Sequence, residues 1–382
     1  QYIAKTNSQL CFVSTNSVNQ GEQVSLLWPN IFSLEIEISF AYESFKWRNN
    51  ARSPAKVTCS ILGLSTKSIK NKYIFKENIK RRVKNINAYL TDGPNIIVSK
   101  RSKPLCFDKK MHFGNMPNDG GNLILTDSEY KVLIEKEPEI KKYIKPLIGS
   151  QEFINSSKRY CIWIEDKELK EINSSFILER IERVKNHRLD SKDPGTNRLA
   201  SRSYQFRDLK VANKVSLIVP RVSSEKRNYI PIGFLQNNNI ILDSAQMILD
   251  PPAYLFALIS SRMHMVWVRL VAGRLETRYR YSADICYHCF PFPKIKENKK
   301  STLEDHVFNV LGEREKFPER NLAELYDPEK MPIGLLEAHR EMDQAVEEVY
   351  QSKPFANDMQ RSEILLRLYK EEIEKEKAKA NA

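Results

Sequence analysis

The sequence LEIEISF at residues 34–40 alternates strictly between apolar and polar side chains. A repeat of two residues puts Ile36, Ile38 and Phe40 on one face of an extended chain, which predicts a half-buried β-strand. A second apolar run, VTCSILGL at residues 57–64, predicts another strand. Because the connection between the two runs is too long for a tight turn, we expect an antiparallel pair with an extended loop at its tip.

The residues before this pair have the pattern of the end of an α/β unit. The run LCFVS at residues 10–14 predicts a short strand, and a Thr-Asn-Ser tripeptide with cap-forming side chains follows it. Residues 20–27 predict a helix that ends at Trp28-Pro29, because proline has no amide hydrogen for a helix interior.

The pattern changes twice after the strand pair. Residues 66–113 are basic and mixed in pattern, so we interpret them as a connector. Residues 114–293 predict several strands and one long buried helix, since 255–271 are apolar on nearly every face. Strong helix formers with helical spacing predict three further helices, at residues 303–311, 331–350 and 362–379.

The composition excludes several classes of protein. Glycine makes up 12 of 382 residues, and neither G-x-G-x-x-G nor G-x-x-x-x-G-K-[ST] occurs, so we predict no dinucleotide-binding loop and no P-loop. No apolar run approaches the roughly 18 residues that span a bilayer, so we expect no membrane partner. The six cysteines are irregularly spaced, which argues against a disulfide framework and for a reducing cytoplasm.

The charge is distributed unevenly along the chain. Residues 301–382 contain 12 basic and 19 acidic side chains, whereas residues 1–300 contain 49 basic and 29 acidic ones, so the net charges are −7 and +20. A basic body with an acidic terminal segment is typical of a protein that binds nucleic acid. A lysine-rich proteome, which raises the basic count everywhere, is the alternative explanation.

Residues 273–282, GRLETRYRYS, interleave basic and aromatic side chains. If this segment is extended, Glu276, Arg278 and Arg280 point to one face, with Arg274 before them. Arginine can donate two hydrogen bonds to guanine and glutamate can accept one from cytosine, so these side chains suit base reading in the major groove. The alternative is a surface strand with an ion pair between residues two positions apart.

A second cluster of basic and hydroxyl side chains lies at Arg221, Ser223 and Ser224. Such residues usually contact phosphates and set the register of a protein on DNA rather than read bases. A solvated turn of the same composition is an equally good interpretation.

Many separate blocks of the chain resemble one enzyme family. They are TNSVNQGEQV at 15–24 and FAYESFKWRNNA at 40–51, then GNMPNDGG, RYCIW, PRVSSE, YIPIG, SRMHM, GRLETRYRYS and FPFP between 114 and 293, and LAELYDPEKMP at 322–332. Together they resemble the adenine-N6 DNA methyltransferases that are fused to restriction nucleases, the type IIL branch of the single-chain type IIG enzymes.

The resemblance implies an order of parts: a nuclease and a helical spacer, a methyltransferase domain, a target-recognition domain and a small helical domain. This chain would begin inside the methyltransferase domain, after its cofactor loop and its catalytic turn. We therefore expect an α+β fold. Residues 1–100 would hold the tail end of a Rossmann-like methyltransferase sheet with the connector, 101–295 an α+β target-recognition domain, and 296–382 the helical domain.

Site residues follow from the same resemblance. Phe45, Lys46 and Trp47, on the long loop between the two strands, would border the pocket of a flipped adenine, where an aromatic ring stacks on the base. Local packing of the two rings under the loop is the alternative.

For base reading, the resemblance implies that Glu276, Arg278 and Arg280 occupy specificity positions. It places Asp243 and Ser244 near the same reading face.

Two short motifs imitate catalytic and metal sites. DPPA at 250–253 resembles the [DNS]-P-P-[YFW] catalytic turn of the family, but its fourth residue is alanine, so we predict a helix start capped by Asp250. CYHC at 286–289 has no second ligand pair for zinc, so we predict buried thiols and no metal. His264, on an apolar helix, is predicted to be a packing residue, and no catalytic residue is assigned.

The resemblance implies methyl transfer from S-adenosylmethionine to an adenine flipped out of double-stranded DNA, in the cytoplasm of a bacterium and on its nucleoid. The methyl donor and the catalytic groups would be held by upstream methyltransferase residues of the same polypeptide, which a nuclease domain can precede. The isolated chain would then be inactive. Two alternatives remain: a DNA-specificity module that docks on a separate catalytic subunit, and an RNA-binding or RNA-modifying protein.

Overall fold

The first part of the chain is a five-stranded sheet with one helix against it. The computed structural model describes residues 3–6, 8–47, 57–66 and 71–381. The sheet order is β1–β3–β2–β4–β5, and the strands are β1 Gln9–Thr15, β2 Glu37–Lys46, β3 Thr58–Ser65, β4 Lys72–Lys76 and β5 Ile79–Val83. β3 is antiparallel to both β1 and β2, so β1 and β2 run in the same direction and end at the same edge. The predicted antiparallel pair is confirmed.

Helix α1, Glu22–Phe32, continues through Pro29, whereas we predicted that it would end at Trp28-Pro29. Trp28 is buried, and its indole Nε1 donates a 2.7 Å hydrogen bond to the carbonyl of Val18. Proline removes the hydrogen bond that the carbonyl of Ser25 would otherwise accept, but Ser25 is half-exposed and water can replace the donor. Tertiary packing of Trp28 therefore outweighs the local signal.

A register shift between Ile38 and Phe40 breaks the predicted alternation of β2. Ile38 and Ala41 face the core, and Phe40 turns to the other face, where its ring fills the space that Gly63 leaves open. An extra residue in one strand flips every later side chain, and a sequence pattern does not reveal it.

Part of the predicted connector also belongs to this sheet, since β4 is parallel to β2 and β5 pairs with β4. The sequence pattern of β5 was uninformative because four of its five side chains are exposed at the edge of the sheet.

The middle of the chain contains three smaller sheets, with strand orders β12–β10–β14–β6, β13–β8–β9–β7 and β11–β16–β15. Their strands are β6 Met111–Phe113, β7 Ile124–Thr126, β8 Ile144–Ile148, β9 Arg159–Ile162, β10 Val215–Pro220, β11 Val222–Ser223, β12 Gly233–Gln236, β13 Ile240–Ile241, β14 Ala245–Leu249, β15 Gly273–Leu275 and β16 Arg278–Arg280. The helices are α2 Asp127–Lys136, α3 Ser150–Asn155, α4 Ser175–Leu189, α5 Pro194–Arg198, α6 Tyr254–Ser260 and α7 Arg262–Val271.

The predicted long helix at 255–271 is in fact two helices, α6 and α7. Ser261 between them is extended (φ −78°, ψ 162°), and its hydroxyl accepts a hydrogen bond from the amide of His264. Serine satisfies an otherwise unpaired amide at a helix start, so the local capping preference interrupts a run that apolarity alone predicted to be continuous.

The last part of the chain is helical, as predicted. It consists of α8 Glu297–Glu315, α9 Leu322–Leu325, α10 Ile333–Tyr350 and α11 Asp358–Ala380. One hydrophobic core joins all three parts: it extends from Trp28 through Trp267 to Leu365. Among the described residues, no helix combines the length and the apolarity needed to cross a membrane.

A buried carboxyl group joins the helical part to the middle of the chain. Asp343 on α10 accepts a 2.7 Å hydrogen bond from the hydroxyl of Tyr229 and a 2.6 Å hydrogen bond from the amide of Arg262, at the start of α7. Burial raises the pKa of Asp343 from 3.8 to about 7. The folded protein therefore favours the protonated carboxyl.

The pKa of Asp343 predicts how stability depends on pH. Because the pKa is higher in the folded than in the unfolded protein, the stabilising contribution is complete below about pH 4 and is lost as the pH rises through 7. We expect the free energy of unfolding to fall by about 2 kcal/mol between pH 5 and pH 7, and Asp343→Asn to remove this fall. Urea unfolding at a series of pH values tests this expectation, and equal slopes for both proteins would contradict it.

Candidate nucleic-acid interface

Strands β15 and β16 form a hairpin whose two-residue turn is Glu276 and Thr277, and β11 pairs with the other side of β16. Arg278 and Arg280 are exposed on β16, while Tyr279 between them is buried. Glu276 has a φ of 58°, so it lies in the turn and not on the strand face where we predicted it. The hairpin thus has a glutamate in its turn and two exposed arginines on the strand that follows.

The ion pair that we considered as an alternative is present. Oε2 of Glu276 lies 3.4 Å from Nη2 of Arg278, and both side chains are about half exposed. An exposed pair of this kind is weak, so both groups remain available to other partners. The sequence did not reveal the turn because ET is not one of the glycine- or asparagine-containing pairs that indicate two-residue turns.

Arg274 is placed differently from the other two arginines of the hairpin. Its guanidinium lies 3.9 Å from the ring centre of Tyr279 and donates to the carbonyls of Thr277 (3.3 Å) and Arg269 (3.4 Å). These contacts stabilise the hairpin and occupy the Arg274 side chain with partners inside the protein.

Arg221, Asp243 and Ser244 come together beside the hairpin, although they are distant in the sequence. Nη1 of Arg221 donates a 2.8 Å hydrogen bond to the carbonyl of Asp243, and its guanidinium lies 4.9 Å from the ring centre of Phe113. The hydroxyl of Ser244 accepts a 3.2 Å hydrogen bond from the amide of Ser150. The hairpin and the cluster around Arg221 were predicted separately from sequence. The structure brings both to one surface.

The two serines after Arg221 have different environments. Ser223, opposite Tyr279 in the sheet, is buried, and its hydroxyl has no hydrogen-bond partner among the described residues. The hydroxyl of Ser224 accepts a 3.3 Å hydrogen bond from the amide of Lys226, which is the turn that we considered as an alternative.

Gln246 is a polar residue beneath this surface that the sequence patterns did not indicate. It is fully buried on β14, and neither Oε1 nor Nε2 has a hydrogen-bond partner in the part of the chain that is described. It lines a cleft of about 450 Å³ together with Arg221, Arg274 and Arg280. A single glutamine within the apolar strand AQMIL gives no sequence signal for such a position.

A larger cleft, of about 620 Å³, lies where β1 and β2 end. The first sheet contributes residues from both strand ends, and the hairpin contributes Arg274, Glu276, Thr277 and Tyr279. The contributing residues of the first sheet include Thr15, Asn16, Ser17, Ser44 and Lys46. In α/β sheets, ligands bind in the crevice at the carboxyl ends of the strands, so this position suits a substrate.

Of the three residues predicted to border the pocket of the flipped base, Lys46 lines this cleft, whereas its neighbours Phe45 and Trp47 are not among the lining residues. Two of the three are not on a loop as predicted. Phe45 and Lys46 belong to β2, which pairs with β3 up to Lys46, and the amide of Trp47 donates a 2.9 Å hydrogen bond to the carbonyl of Val57. Lys46 lines the cleft, Phe45 is half-buried and Trp47 is 44% exposed. Residues 48–56, which include the end of the FAYESFKWRNNA block, lie outside the described residues.

Asp250 is not the helix cap that we predicted. Its carboxylate accepts hydrogen bonds from the amides of Asn213 (2.9 Å) and Lys214 (2.8 Å), and these bonds hold its pKa below the ordinary value. It therefore ties two segments of the middle part together, and α6 begins without a side-chain cap.

The histidine and the cysteines singled out in the sequence are interior groups. His264 is buried beside the hydroxyl of Tyr281 (2.8 Å), and burial lowers its pKa to about 3, so it is neutral. Burial raises the pKa of both Cys286 and Cys289 to about 12. Within the described ranges no cluster of three or more potential metal ligands occurs.

Comparison with protein families assigns each part of the chain. Residues 92–294 match the target recognition domain of MmeI, residues 1–76 its DNA-methyltransferase domain and residues 295–375 its C-terminal domain. The chain belongs to the MmeI family. The hairpin and the cluster around Arg221 lie in the MmeI-type target recognition domain, and β1, β2 and the ends of these strands lie in the methyltransferase segment.

Two similar proteins support membership of the MmeI family. DNA methyltransferase A of Bacillus subtilis (strain 168) is 48% identical over 377 residues, which cover 98% of this chain and 43% of that protein. The structure of the type IIL restriction-modification enzyme MmeI in complex with DNA matches with a TM-score of 0.91 and 39% identity, over 98% of this chain and 51% of that one. The chain thus spans about half the length of the relatives that it matches. The α+β fold with a methyltransferase tail, a target recognition domain and a helical domain is that of MmeI.

Proposed function

We propose that this chain is the DNA-recognition part of a site-specific adenine-N6 DNA methyltransferase in a restriction–modification polypeptide. One observation carries the proposal: a hairpin with exposed Arg278 and Arg280 and a tip glutamate lies beside the cleft at the ends of β1 and β2. The hairpin would read base edges in the major groove while the cleft receives a flipped adenine.

Charge supports duplex DNA as the ligand. Residues 1–300 have a net charge of +20. A neighbouring cleft of about 490 Å³ shares Asn16, Ser44 and Arg274 with the cleft of about 620 Å³, which we call the base cleft. It adds the cations Lys76, Arg81 and Arg269, of which Lys76 and Arg269 also pair with the carboxylates of Glu43 and Asp358 in the same cleft. Cations along such a surface would hold phosphates on either side of the flipped nucleotide, and Arg221 and Ser224 would do the same beside the hairpin.

Trp47 would supply a ring that stacks on the flipped base. Trp47 is exposed next to Lys46, so its indole is available to stack on an extruded adenine, whereas half-buried Phe45 would form part of the wall. The methyl donor would be S-adenosylmethionine. By the family's order of parts, methyltransferase residues of the same polypeptide upstream of these 382 would hold it.

The first sheet presents a surface for that upstream part. Leu10, Phe12 and Val13 of β1 are 38%, 47% and 54% exposed, and the outer edge of β1 pairs with no strand among the described residues. An exposed apolar face beside an unpaired strand edge usually marks an interface, so we propose that upstream residues of the same polypeptide extend and cover this sheet. We place domain limits near residues 100 and 295, and the protein in the bacterial cytoplasm on nucleoid DNA.

This proposal predicts how the isolated chain behaves. Residues 1–382 should bind duplex DNA weakly, with an affinity that falls as salt rises, and should transfer no methyl group. Replacing Arg278 and Arg280 together by alanine should lower the affinity about tenfold or more. Fluorescence anisotropy with a labelled duplex measures both effects.

A matched control separates recognition from general charge. Arg367 and Lys370 are exposed cations on α11 that also pair with glutamates, and replacing both by alanine removes the same charge from the helical domain. This variant should bind DNA as the parent does. Equal loss in both variants would contradict base reading by the hairpin. Stronger competition by single-stranded RNA than by duplex DNA would favour the RNA alternative, and methylation by residues 1–382 alone would contradict our assignment of catalysis to upstream residues.

A further inference from the structure

The methyltransferase segment and the target recognition domain are in direct backbone contact beside Gly21. Gly21, just before α1, has φ 56° and ψ −146°, a conformation that residues with a side chain avoid. Its amide donates a 3.2 Å hydrogen bond to the carbonyl of Val271, the last residue of α7. A Cβ atom on Gly21 would lie 3.2 Å from Cα and 3.3 Å from N of Gly273, so any side chain there would push the two backbones apart by a few tenths of an ångström.

This contact lies where the methyltransferase segment meets the reading hairpin. On one side of it, Asn16, Ser17 and Gln20 line the base cleft, and Gln20 is the residue directly before Gly21. On the other side, Gly273 is the first residue of β15 and leads directly into the hairpin, which lines the same cleft from the target recognition domain. The contact therefore sets the position of the hairpin relative to the methyltransferase residues across the cleft.

We propose that Gly21 is a positioning residue that fixes the register between the bases that are read and the adenine that is methylated. The inference rests on the proposed function. DNA held by the hairpin delivers its target base at a set distance along the duplex, and successive bases of one strand are about 3.4 Å apart. A displacement of about 1 Å between reacting groups can lower a catalytic rate by about a hundredfold. A methyl group at position 21 would force a smaller displacement, of a few tenths of an ångström, and would strain the backbone at its positive φ.

Two alanine variants form a matched pair. Gly21→Ala adds a methyl group at the contact and strains the backbone. Gly312→Ala adds the same group on α8 of the helical domain, where no atom lies within 4 Å and the backbone is helical. In the full-length protein we expect Gly21→Ala to lower kcat for methylation by about tenfold, with the Kd for duplex DNA within about twofold of the parent. Gly312→Ala should change neither.

The experiment measures kcat, KM and Kd with a duplex containing the recognition site, and thermal unfolding of each variant. A folded Gly21→Ala protein with the kcat of Gly312→Ala would overturn the inference, and so would equal losses in kcat and in DNA binding, which indicate a merely structural role. If Gly21→Ala does not fold, insertion of one glycine between Ala272 and Gly273 moves the hairpin without strain at Gly21, and unchanged kcat would then overturn the inference. Failure of the parent protein to methylate DNA would instead contradict the proposed function.

Discussion

Replacement of Arg188 by alanine is expected to destabilise the target recognition domain by about 4 kcal/mol or more, since it leaves several buried carbonyl groups without a donor. Arg188 lies near the end of α4 and is fully buried. Its guanidinium donates five hydrogen bonds of 2.7–3.2 Å to backbone carbonyls, those of Pro117, Asn118, Leu199, Arg202 and Gln205.

The five acceptors belong to two separate segments, 117–118 and 199–205, which Arg188 holds against α4. Each carbonyl left unpaired in the interior costs about 1 kcal/mol or more, and the lost packing of the side chain adds to this. Lysine would not rescue the position, because a single ammonium group cannot reach acceptors arranged around a planar guanidinium.

Arg183 provides the control on the same helix. It is exposed and pairs with Glu179 one turn away, so Arg183→Ala should change the free energy of unfolding by about 0.5 kcal/mol or less. Urea unfolding followed by circular dichroism measures both variants. Similar midpoints for Arg188→Ala and Arg183→Ala would show that the buried hydrogen bonds contribute little.

Exchange of the charges at the tip of the hairpin, by Glu276→Lys combined with Arg278→Asp, is expected to change the preferred base pair at one position of the recognition site. Glutamate accepts a hydrogen bond from cytosine, and arginine donates two to guanine, so the present pair suits one C·G base pair. A well-placed contact discriminates between bases by about 1–3 kcal/mol, which corresponds to about 5- to 150-fold in relative methylation.

The double exchange conserves net charge, so general attraction to DNA should be retained. The matched control is the exposed pair Glu179 and Arg183 on α4, which is joined at 2.5 Å, and exchanging its charges should leave the site unaltered. Mapping of methylated adenines in DNA from cells that express the full-length gene gives the result. An unchanged site after the exchange at Glu276 and Arg278 would remove these residues from base reading.

Local sequence patterns predicted much of this fold. The antiparallel pair β2–β3, the strand β1 and the three long C-terminal helices follow from apolar repeats of two and of 3.6 residues, which reflect burial of each element on one side. The wrong predictions share a cause. Pro29 within α1, the register shift after Ile38 and the edge strand β5 depend on what packs against each element, which the repeat does not record.

The candidate site divides in the same way. The basic and aromatic composition of the hairpin segment indicated a surface for nucleic acid, and the exposed Arg278 and Arg280 agree with that prediction. The turn at Glu276 and the buried amide of Gln246 had no local signal, because their roles arise from strands that are distant in the sequence.

By itself, the sequence determined the class of the fold through its apolar repeats and the family through the resemblance of its separate motif blocks. It also predicted the segments in which recognition residues would lie, because composition and short repeats are properties of neighbouring residues. Only the tertiary structure decided which residues meet: Arg188 with five carbonyls, Arg221 with Asp243, and Gly21 with Gly273. Such contacts depend on the three-dimensional packing of whole elements. A buried hydrogen bond or a close backbone contact contributes free energy only once that packing has formed.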